Sequence, residues 1–311
     1  MSLDSLGMLL EVMYGTLLKD NMKPVVAVTG GRGLVGSQFI ADFSGSYEFK
    51  HLDISDPVSP VDITNFDQVM NALHSSEVAA IVHFAAFTDV TAAWQQRDDK
   101  TGLAYKVNVT GTESMVRAAN ALGAQLIHIS TAYVFNGEKE GLYTEVDPLA
   151  PIEWYGQTKA WAEEVVSGQA NKWGILRIDQ PFRPDTFPKA DSLHKIVMGL
   201  QNNTLYPQFT DHFFGPTYIP DFSKILDWML RTQTTGLYNA SSGEKWNDYQ
   251  FAQAIAHANG LDETLIKKGS LTEYLRSTER PYQRNTALST EKLSTQLDFA
   301  LQAIEQTLKV V

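Results

Sequence analysis

The 311-residue sequence contains no cysteine. This absence excludes disulfide bonds, thiolate nucleophiles and metal sites with thiolate ligands. The histidines also never occur four positions apart, the spacing at which one helix face presents two imidazoles to a metal ion, so we expect no metal site. Hydrophobic burial must therefore stabilise the fold, and a chain of this length can bury a large core.

Basic residues are outnumbered. Lys and Arg total 25 against 36 Asp and Glu, which gives a formal net charge of −11. Such a chain lacks the basic surface that displaces counterions from nucleic acid, so we expect no nucleic-acid partner. A local arginine or a helix N-terminus can still bind a small anionic substrate, so the net charge does not exclude a nucleotide-linked ligand.

Long apolar runs are also lacking. The apolar stretch 8–18 is too short to span a bilayer and follows Asp4 rather than a basic segment, which argues against a signal peptide. We therefore expect no membrane partner and a cytoplasmic protein. Residues 1–21 are predicted as an N-terminal extension that precedes the first strand.

Short apolar runs alternate with amphipathic stretches in the first half of the chain. The runs predict buried strands at 25–29, 47–52, 79–84, 125–130 and 174–178, and the stretches predict helices near 34–43, 64–74, 102–122 and 155–168. This alternation is typical of a doubly wound parallel sheet with helices on both faces. We predict a Rossmann-type α/β domain over 22–178, with its ligands at the carboxyl edge of the sheet.

The second half of the chain has fewer apolar runs. It predicts helices near 191–201, 219–231, 247–259 and 296–308, separated by long loops. We expect residues 179–311 to form mainly a smaller substrate-binding lobe, with some segments that return to the first domain.

A glycine-rich loop follows the first predicted strand. In this GxxGxxG pattern, Gly30 permits a tight turn, Gly33 lets backbone N–H groups approach a pyrophosphate, and Gly36 allows close packing of helix on strand. Leu34 and Val35 begin the helix whose N-terminus would face the phosphates. The strand, loop and helix together predict a dinucleotide-binding site.

Two residues bear on the choice between NAD and NADP. Asp53 ends the second predicted strand, where a carboxylate accepts hydrogen bonds from the ribose hydroxyls, which favours NAD. Arg32 lies within the glycine loop, where a guanidinium can pair with the 2′-phosphate of NADP. The choice stays open. Asp62 and Ile63 are candidates for contact with adenine, although Asp62 would serve equally well as a helix N-cap.

Tyr155 and Lys159 are four residues apart and therefore share one face of a predicted helix. A free tyrosine has a pKa near 10, so its activation near neutrality requires about 4 kcal/mol. A lysine ammonium about 5 Å away contributes roughly 3 kcal/mol at an effective dielectric constant of about 20. The positive charge of an oxidised nicotinamide can contribute the remainder. The pair predicts a proton donor and its electrostatic partner.

Other candidates lie at the ends of strands. Thr131 follows the fourth predicted strand, where its hydroxyl can bind a substrate oxygen, and Ser130 is expected to serve the backbone or the cofactor amide. Ala85 and Ala86 follow the third strand, and their small side chains allow the cofactor ribose to lie close.

These motifs occur in the order and spacing typical of extended short-chain dehydrogenases. Among these enzymes the chain most resembles dTDP-4-dehydrorhamnose reductases, and the resemblance extends from residue 23 to the C-terminus. The matching segments are 130–135, 148–151, 155–159, 214–217, 236–239 and 280–281. The resemblance implies Thr131, Tyr155 and Lys159 as catalytic residues, and it implies a structural or proton-relay role for Asn108.

The chain departs from this family in some places. The reductases usually carry an acidic residue after the catalytic threonine, whereas this chain has Ala132, which argues against the water elimination of 4,6-dehydratases. The segments 89–94 and 180–184 also differ from the family pattern. The identity of the substrate therefore stays open.

The resemblance implies reduction of a 4-keto nucleotide sugar by NAD(P)H, with Tyr155 as the proton donor. Candidate substrate-binding residues are Thr88, Trp154, Arg183 and Arg280. One alternative is an epimerase or another carbonyl reductase with the same catalytic set. Another is a non-catalytic cofactor-binding regulator, because relatives of these reductases are regulatory subunits of methionine adenosyltransferase. The faces of helices 102–122 and 155–168 could pair two subunits in a homodimer.

Overall fold

The computed structural model describes residues 23–74 and 76–311, and the predicted extension 1–21 lies outside them. Its centre is a six-stranded parallel sheet with the spatial order β2, β1, β3, β4, β5, β6. The strands are β1 (Val25–Thr29), β2 (Glu48–Leu52), β3 (Val78–His83), β4 (Gln125–Thr131), β5 (Trp173–Ile178) and β6 (Gly236–Asn239). This architecture confirms the predicted fold class. The sixth strand comes from the second half of the chain.

Helices cover both faces of the sheet. The longer ones are α1 (Leu34–Phe43), α2 (Phe66–Leu73), α3 (Val90–Trp94), α4 (Gly111–Leu122), α5 (Trp154–Gln169), α6 (Ser192–Gln201), α7 (Ile219–Thr232) and α8 (Asp248–Ala258). On one face, Phe39 of α1 and Phe222 of α7 belong to a core with the inner residues of β1 and β5. On the other face, Val69 of α2, Met115 of α4 and Val166 of α5 pack in a second core.

The order of the strands locates the ligand edge. From β1 the chain moves outward to β2, and it then returns to form β3 on the opposite side of β1. The sheet therefore has a topological switch point between the carboxyl ends of β1 and β3, where open α/β sheets bind their ligands. The glycine loop follows β1 at this point.

The predicted helix 102–122 is interrupted. It consists of a short α-helical turn (Leu103–Tyr105), a π-helical turn (Lys106–Thr110) and then α4. A Cβ on Gly111, directly after the π-helical turn, would lie 2.6 Å from Cδ1 of Ile63. The missing side chain therefore lets the helix approach the segment after β2. Such π-helical turns frequently mark functional sites.

The predicted helix 296–308 is wrong. The structure has a short helix before it (Glu291–Ser294) and a 3-10 turn at Ile304–Thr307, with irregular chain between them. Leu297, Phe299 and Leu301 pack on the core at every second position, which is the period of an extended chain. Backbone N–H groups here bond to side chains instead of helical carbonyls, as Gln302 does to Asp221.

The second half forms a smaller layer of helices and short strands over the carboxyl edge. Its core contains Phe182, Phe214 and Phe251, together with apolar residues of α6 and α8. The two-residue strands are Pro181–Phe182, Gln208–Phe209, Phe213–Phe214, Thr217–Tyr218, Trp246–Asn247 and Lys268–Gly269, and a further short helix is Leu271–Tyr274. Within the described residues, no helix is both long and apolar enough to cross a membrane.

Helix α5 contains a matched pair of glycines that tests the packing of the site. A Cβ on Gly156 would overlap the carbonyl oxygen of Tyr133, whereas a Cβ on Gly168 would have no atom within 4 Å. We expect Gly156→Ala to lower the free energy of unfolding by about 1–3 kcal/mol because of this overlap. Gly168→Ala should raise it by about 0.5–1 kcal/mol. Urea unfolding measures both, and equal effects would contradict the packing described.

Candidate active site

The glycine loop can accept a dinucleotide. Gly30 has a φ of +63°, and a Cβ there would lie 2.7 Å from the backbone nitrogen of Ala85, so any side chain would collide with the turn after β3. Helix α1 begins after Gly33 with no side-chain cap and no acidic residue in its first turn among the described residues. Its first N–H groups and its dipole therefore favour a pyrophosphate.

The carboxylate of Asp53 lies beside this loop. It accepts hydrogen bonds from the backbone nitrogen of Arg32 (3.2 Å) and from the backbone and hydroxyl of Ser55 (2.9 and 2.7 Å). The guanidinium of Arg32 turns outward, half-exposed, and pairs with Asp56 at 3.3 Å. The carboxylate and the cation thus flank the outer side of the loop, where an adenosine ribose would be recognised.

The other residues predicted at the cofactor site differ in their surroundings. Ala85 and Ala86 are half-buried, and the backbone nitrogen of Ala85 donates to the hydroxyl of Thr29. Asp62 closes a turn by accepting from the backbone and hydroxyl of Thr64, and the N-cap of α2 is Asn65. Ile63 is buried in the core. Any contact of this segment with a ligand must therefore use the backbone or Asp62.

Thr131, at the carboxyl end of β4, lies close enough to Tyr155 for its hydroxyl to act on the phenol. Burial raises the pKa of the Tyr155 phenol above its ordinary value, the neighbouring Thr131 hydroxyl lowers it, and the charges of Glu153 and Asp179 raise it further. The expected lowering of this pKa is thus outweighed by burial. Tyr155 is a phenol that holds its proton at neutral pH, as a proton donor must.

Lys159 lies one turn further along α5 and is almost fully buried. Its Nζ contacts Nε2 of His128 at 3.0 Å and the carbonyl oxygen of Ile129 at 2.7 Å. Burial lowers the pKa of Lys159 to about 7, although the charge of Glu163 opposes this shift. The Lys159 ammonium therefore points toward β4 and contacts two of its residues.

The side chain of Asn108 connects three parts of the structure by hydrogen bonds. Its side chain accepts from the backbone nitrogen of Phe87 (2.7 Å), donates to the carbonyl of Phe87 (3.2 Å) and donates to the hydroxyl of Thr158 (2.9 Å). Asn108 thereby ties the π-helical turn to the loop after β3 and to α5. Its polar side-chain atoms are therefore occupied by structural hydrogen bonds near Tyr155.

Three residues at this edge were not predicted. Tyr133 lies with its ring centroid 5.9 Å from that of Tyr155. Glu153 caps α5 by accepting from the backbone nitrogens of Tyr155 (2.8 Å) and Gly156 (2.6 Å). Asp179 follows β5, and its Oδ2 accepts from other parts of the second half. Burial raises the pKa of Glu153 and of Asp179 to about 7, although their hydrogen bonds oppose the shift.

The position of Asp179 in the chain, directly after β5, could have indicated that it lies at the same sheet edge as Thr131. In the sheet register Thr131 pairs with Ile178, so the next residue of β5 must lie at the same edge as the threonine. Asp179 accepts from the backbone nitrogen of Gly215 (3.0 Å) and the hydroxyl of Thr286 (2.7 Å), while its Oδ1 has no hydrogen-bond partner in the described part of the chain. It therefore links β5 to two segments of the smaller lobe.

The four residues predicted to bind substrate lie in different environments. The charge of Arg280 acts on Tyr133 and Glu153, and its guanidinium stacks on the ring of Tyr282 at 3.5 Å. Arg183 instead joins the lobe to α1, through the carbonyl of Leu34, and pairs with an aspartate two residues on. Trp154 is buried against Trp161, and Thr88 is exposed. Arg280 thus acts on Tyr133 through its charge, and Trp154 belongs to the apolar cluster on which Tyr155 packs.

Ser130 lies next to Thr131 and is buried, with an Oγ that has no hydrogen-bond partner among the described residues.

A cavity of about 470 Å³ opens in the smaller lobe, lined by Gln180, Lys195, Tyr206, Phe214 and Asp248, among others. Asp248 also accepts a hydrogen bond of 2.7 Å from Nδ1 of His212. Burial opposes protonation of His212, but the pairing with Asp248 raises its pKa overall.

Ionisation of Asp179 should weaken the fold. An unburied aspartate has a pKa of 3.8, so between this value and about 7 the unfolded chain ionises while the folded protein stays protonated. Stability is therefore lost as the pH rises through 7. We expect Asp179→Asn to reduce the loss of unfolding free energy between pH 5 and pH 8 by about 2 kcal/mol, measured by urea unfolding at both values.

Asp147→Asn is the control for this experiment. Although burial opposes the shift, hydrogen bonds from Lys139 and Thr144 lower the pKa of Asp147, so it is ionised in both states across this range. Its replacement should leave the pH dependence unchanged. The same pH dependence in Asp179→Asn and in the wild-type protein would contradict the assignment.

Comparison with known proteins gives consistent matches, three reductases among them. A dTDP-4-dehydrorhamnose reductase of Aggregatibacter actinomycetemcomitans is 30% identical over 251 residues, which are 78% of this chain and 79% of that protein. A probable low-salt glycan biosynthesis reductase of Haloferax volcanii is 27% identical over 290 residues, 90% of this chain and 95% of that one. A solved dTDP-4-dehydrorhamnose reductase of Bacillus anthracis, in complex with NADP, has a TM-score of 0.83 and 25% identity, covering 92% and 98% of the two chains.

The family model described as the RmlD substrate binding domain matches residues 22–311. It thus covers both the glycine loop and the smaller lobe. Together with the relatives, this match confirms the resemblance that the motifs indicated, and the chain belongs to the RmlD substrate binding domain family, among whose members are dTDP-4-dehydrorhamnose reductases.

Proposed function

We propose that this protein reduces the 4-keto group of a nucleotide-linked sugar with NAD(P)H, and that Tyr155 donates the proton. The observation that carries the proposal is the proximity of the Thr131 hydroxyl and the Tyr155 phenol, on the same sheet edge as a glycine loop that fits a dinucleotide. The similarity to sugar-nucleotide reductases supports it. The catalytic residues are Thr131, Tyr155 and Lys159.

Each of these residues has a separate task. When bound, NAD(P)H supplies the hydride that the carbonyl carbon accepts. The Thr131 hydroxyl orients the carbonyl oxygen, and the Tyr155 phenol, which keeps its proton because it is buried, transfers that proton to the oxygen. Lys159 follows on the same helix face, where its charge favours the phenolate that remains.

The residues that would hold the cofactor surround the switch point. The N-terminus of α1 and the glycine loop would bind the pyrophosphate, and Asp53 would bind the adenosine ribose. Ala85 and Ala86 leave room for the second ribose. Ser130, whose hydroxyl has no partner in the part of the chain that the structure describes, would bind the amide of the nicotinamide.

The cavity in the smaller lobe fits the nucleotide part of the substrate. Its volume of about 470 Å³ is within the range of small-molecule sites, and its lining combines the apolar side chains of Phe214 and Phe251 with the cation of Lys195. The charge of Arg280 acts on Tyr133. The lining of the cavity suits an aromatic base and an anionic group bound by Lys195.

Removal of the phenolic hydroxyl tests the proton donor. We expect Tyr155→Phe to lower kcat for the reduction of a keto sugar nucleotide by about 10²–10⁴-fold, because the proton donor is lost, while NAD(P)H still binds. Cofactor oxidation by a panel of thymidine and uridine diphosphate keto sugars measures the rate. Tyr105→Phe, in the aromatic cluster beside Trp161, is the matched control and should retain activity. Full activity in Tyr155→Phe would refute the assignment.

Exchange of Asp53 tests the cofactor preference. A carboxylate repels the 2′-phosphate of NADP, so Asp53→Asn should increase the affinity for NADPH relative to NADH by about tenfold, or 1.4 kcal/mol. Arg32→Ala should weaken NADPH binding and leave NADH binding unaffected, because only NADPH carries the phosphate. Fluorescence titration with both cofactors measures these changes. An unchanged ratio in both variants would place the ribose elsewhere.

Turnover of the keto-sugar panel and titration with the cofactors also distinguish the other candidate functions. A reductase consumes reduced cofactor in a 1:1 ratio with the sugar, whereas a 4-epimerase regenerates it. A non-catalytic regulator would bind cofactor, turn over no member of the panel, and form a stable complex with another protein. The phenol at Tyr155 and the hydroxyl at Thr131 favour an enzyme over a regulator, since a regulator has no need of a proton donor.

A further inference from the structure

Two buried histidines below the active site have no task in the proposed reaction. His83 on β3 and His128 on β4 are paired in the sheet register, and their ring centroids are 5.2 Å apart. Both nitrogens of His83 have partners, the hydroxyls of Thr29 at 2.7 Å and of Thr112 at 3.1 Å. His83 is therefore explained as a satisfied core residue, whereas His128 is not.

His128 contacts the catalytic lysine. Its Nε2 lies 3.0 Å from Nζ of Lys159, and its Nδ1 has no hydrogen-bond partner within the described residues. Burial first, and then the charges of Lys159 and His83, keep the pKa of His128 well below its ordinary value, so the ring is neutral. A neutral ring beside an ammonium must accept at Nε2 and carry its proton on Nδ1. A buried N–H group without an acceptor destabilises the folded protein, so the contact of His128 with Lys159 must have another role.

The surroundings of Lys159 show what this arrangement provides. The ammonium has three N–H donors, of which His128 and the carbonyl of Ile129 can accept two. The nearest carboxylate on the same helix face, Glu163, already accepts two hydrogen bonds from Arg177, at 2.9 and 2.6 Å. The charge of Lys159 is thus held largely by neutral acceptors on β4. One N–H is left for a ligand.

We propose that His128 is a positioning residue that holds the Lys159 ammonium against β4 and keeps it charged, so that the third N–H can bind the nicotinamide half of the cofactor. This inference rests on the proposed function for the identity of the ligand. The inference follows from the contacts of Lys159 Nζ and from His128 Nδ1, which has no partner among the described residues. An apolar residue at position 128 would avoid this buried, unpaired N–H group. The acceptor at Nε2 favours the charged lysine, and its loss favours the neutral amine.

Two substitutions separate the acceptor from the volume of the ring. The variant His128→Gln can place an amide oxygen near the position of Nε2, whereas His128→Leu fills the space without an acceptor. His83→Gln is the matched control, since it alters a second buried histidine of the same layer that makes no hydrogen bond to Lys159 in the described structure. Lys159→Met removes the titrating group itself.

The measurement is the dissociation constant of NADH and NADPH between pH 6 and pH 9, followed by tryptophan fluorescence. Burial lowers the pKa of Lys159 to about 7, so binding by the wild-type protein should weaken as the pH rises through this value. In His128→Leu the midpoint should move down by about one pH unit, which weakens binding about tenfold at pH 7.5. His128→Gln and His83→Gln should keep the wild-type midpoint, and Lys159→Met should abolish the pH dependence.

The result that overturns the inference is an unchanged midpoint in His128→Leu, or a midpoint in His128→Gln that moves as far as in His128→Leu. A uniform loss of affinity at every pH would indicate a merely structural role and would also overturn it. Should His128→Leu fail to fold, His128→Asn takes its place, because its shorter amide cannot reach Nζ. Failure of the wild-type protein to reduce any keto sugar, by contrast, contradicts only the proposed function.

Discussion

The structure depends on one constraint: the inner face of α5 has charged side chains that are buried away from water. Lys159 and Glu163 project from this helix onto the sheet, and Glu153 caps its first turn. A buried charge is tolerated only when it is paired and hydrogen-bonded. The fold meets this requirement with Arg177 on β5, which pairs with Glu163 through two hydrogen bonds, and with the acceptors of β4 around Lys159.

The same constraint shapes the chemistry at the edge of the sheet. Burial raises the pKa of the Tyr155 phenol and lowers that of the Lys159 ammonium to about 7, so burial favours the neutral form of both groups. Such tuning is typical of catalytic acids and their partners. Asp179 and Glu153, whose pKa values burial raises to about 7, surround the tyrosines with carboxyl groups that ionise near neutrality. The charge at this edge of the sheet therefore depends on pH near neutrality.

Prediction from sequence succeeded where local pattern and chain order decide the structure. The five strands of the first half and the helices at 34–43, 64–74 and 155–168 were predicted to within a few residues. Four of these strands are largely buried and therefore form nearly continuous apolar runs, whereas the short helix Val90–Trp94 was missed. The helix predicted at 296–308 was wrong, because its apolar residues are spaced for an extended chain on a core that only the folded protein contains. Tyr133, Glu153 and Asp179 were missed, since their importance lies in their proximity to Tyr155 across separate elements.

The amino-acid sequence by itself determined the doubly wound sheet, the glycine loop at the switch point and the spacing that puts Tyr155 and Lys159 on one helix face. These features follow from residue types at short range, through backbone conformation and periodicity. Only the tertiary structure decided the partners of each charge: Lys159 with His128, Glu163 with Arg177, and Asp179 with the smaller lobe. The physical reason is that pairing and desolvation depend on which side chains meet in space, and no spacing along the chain specifies that.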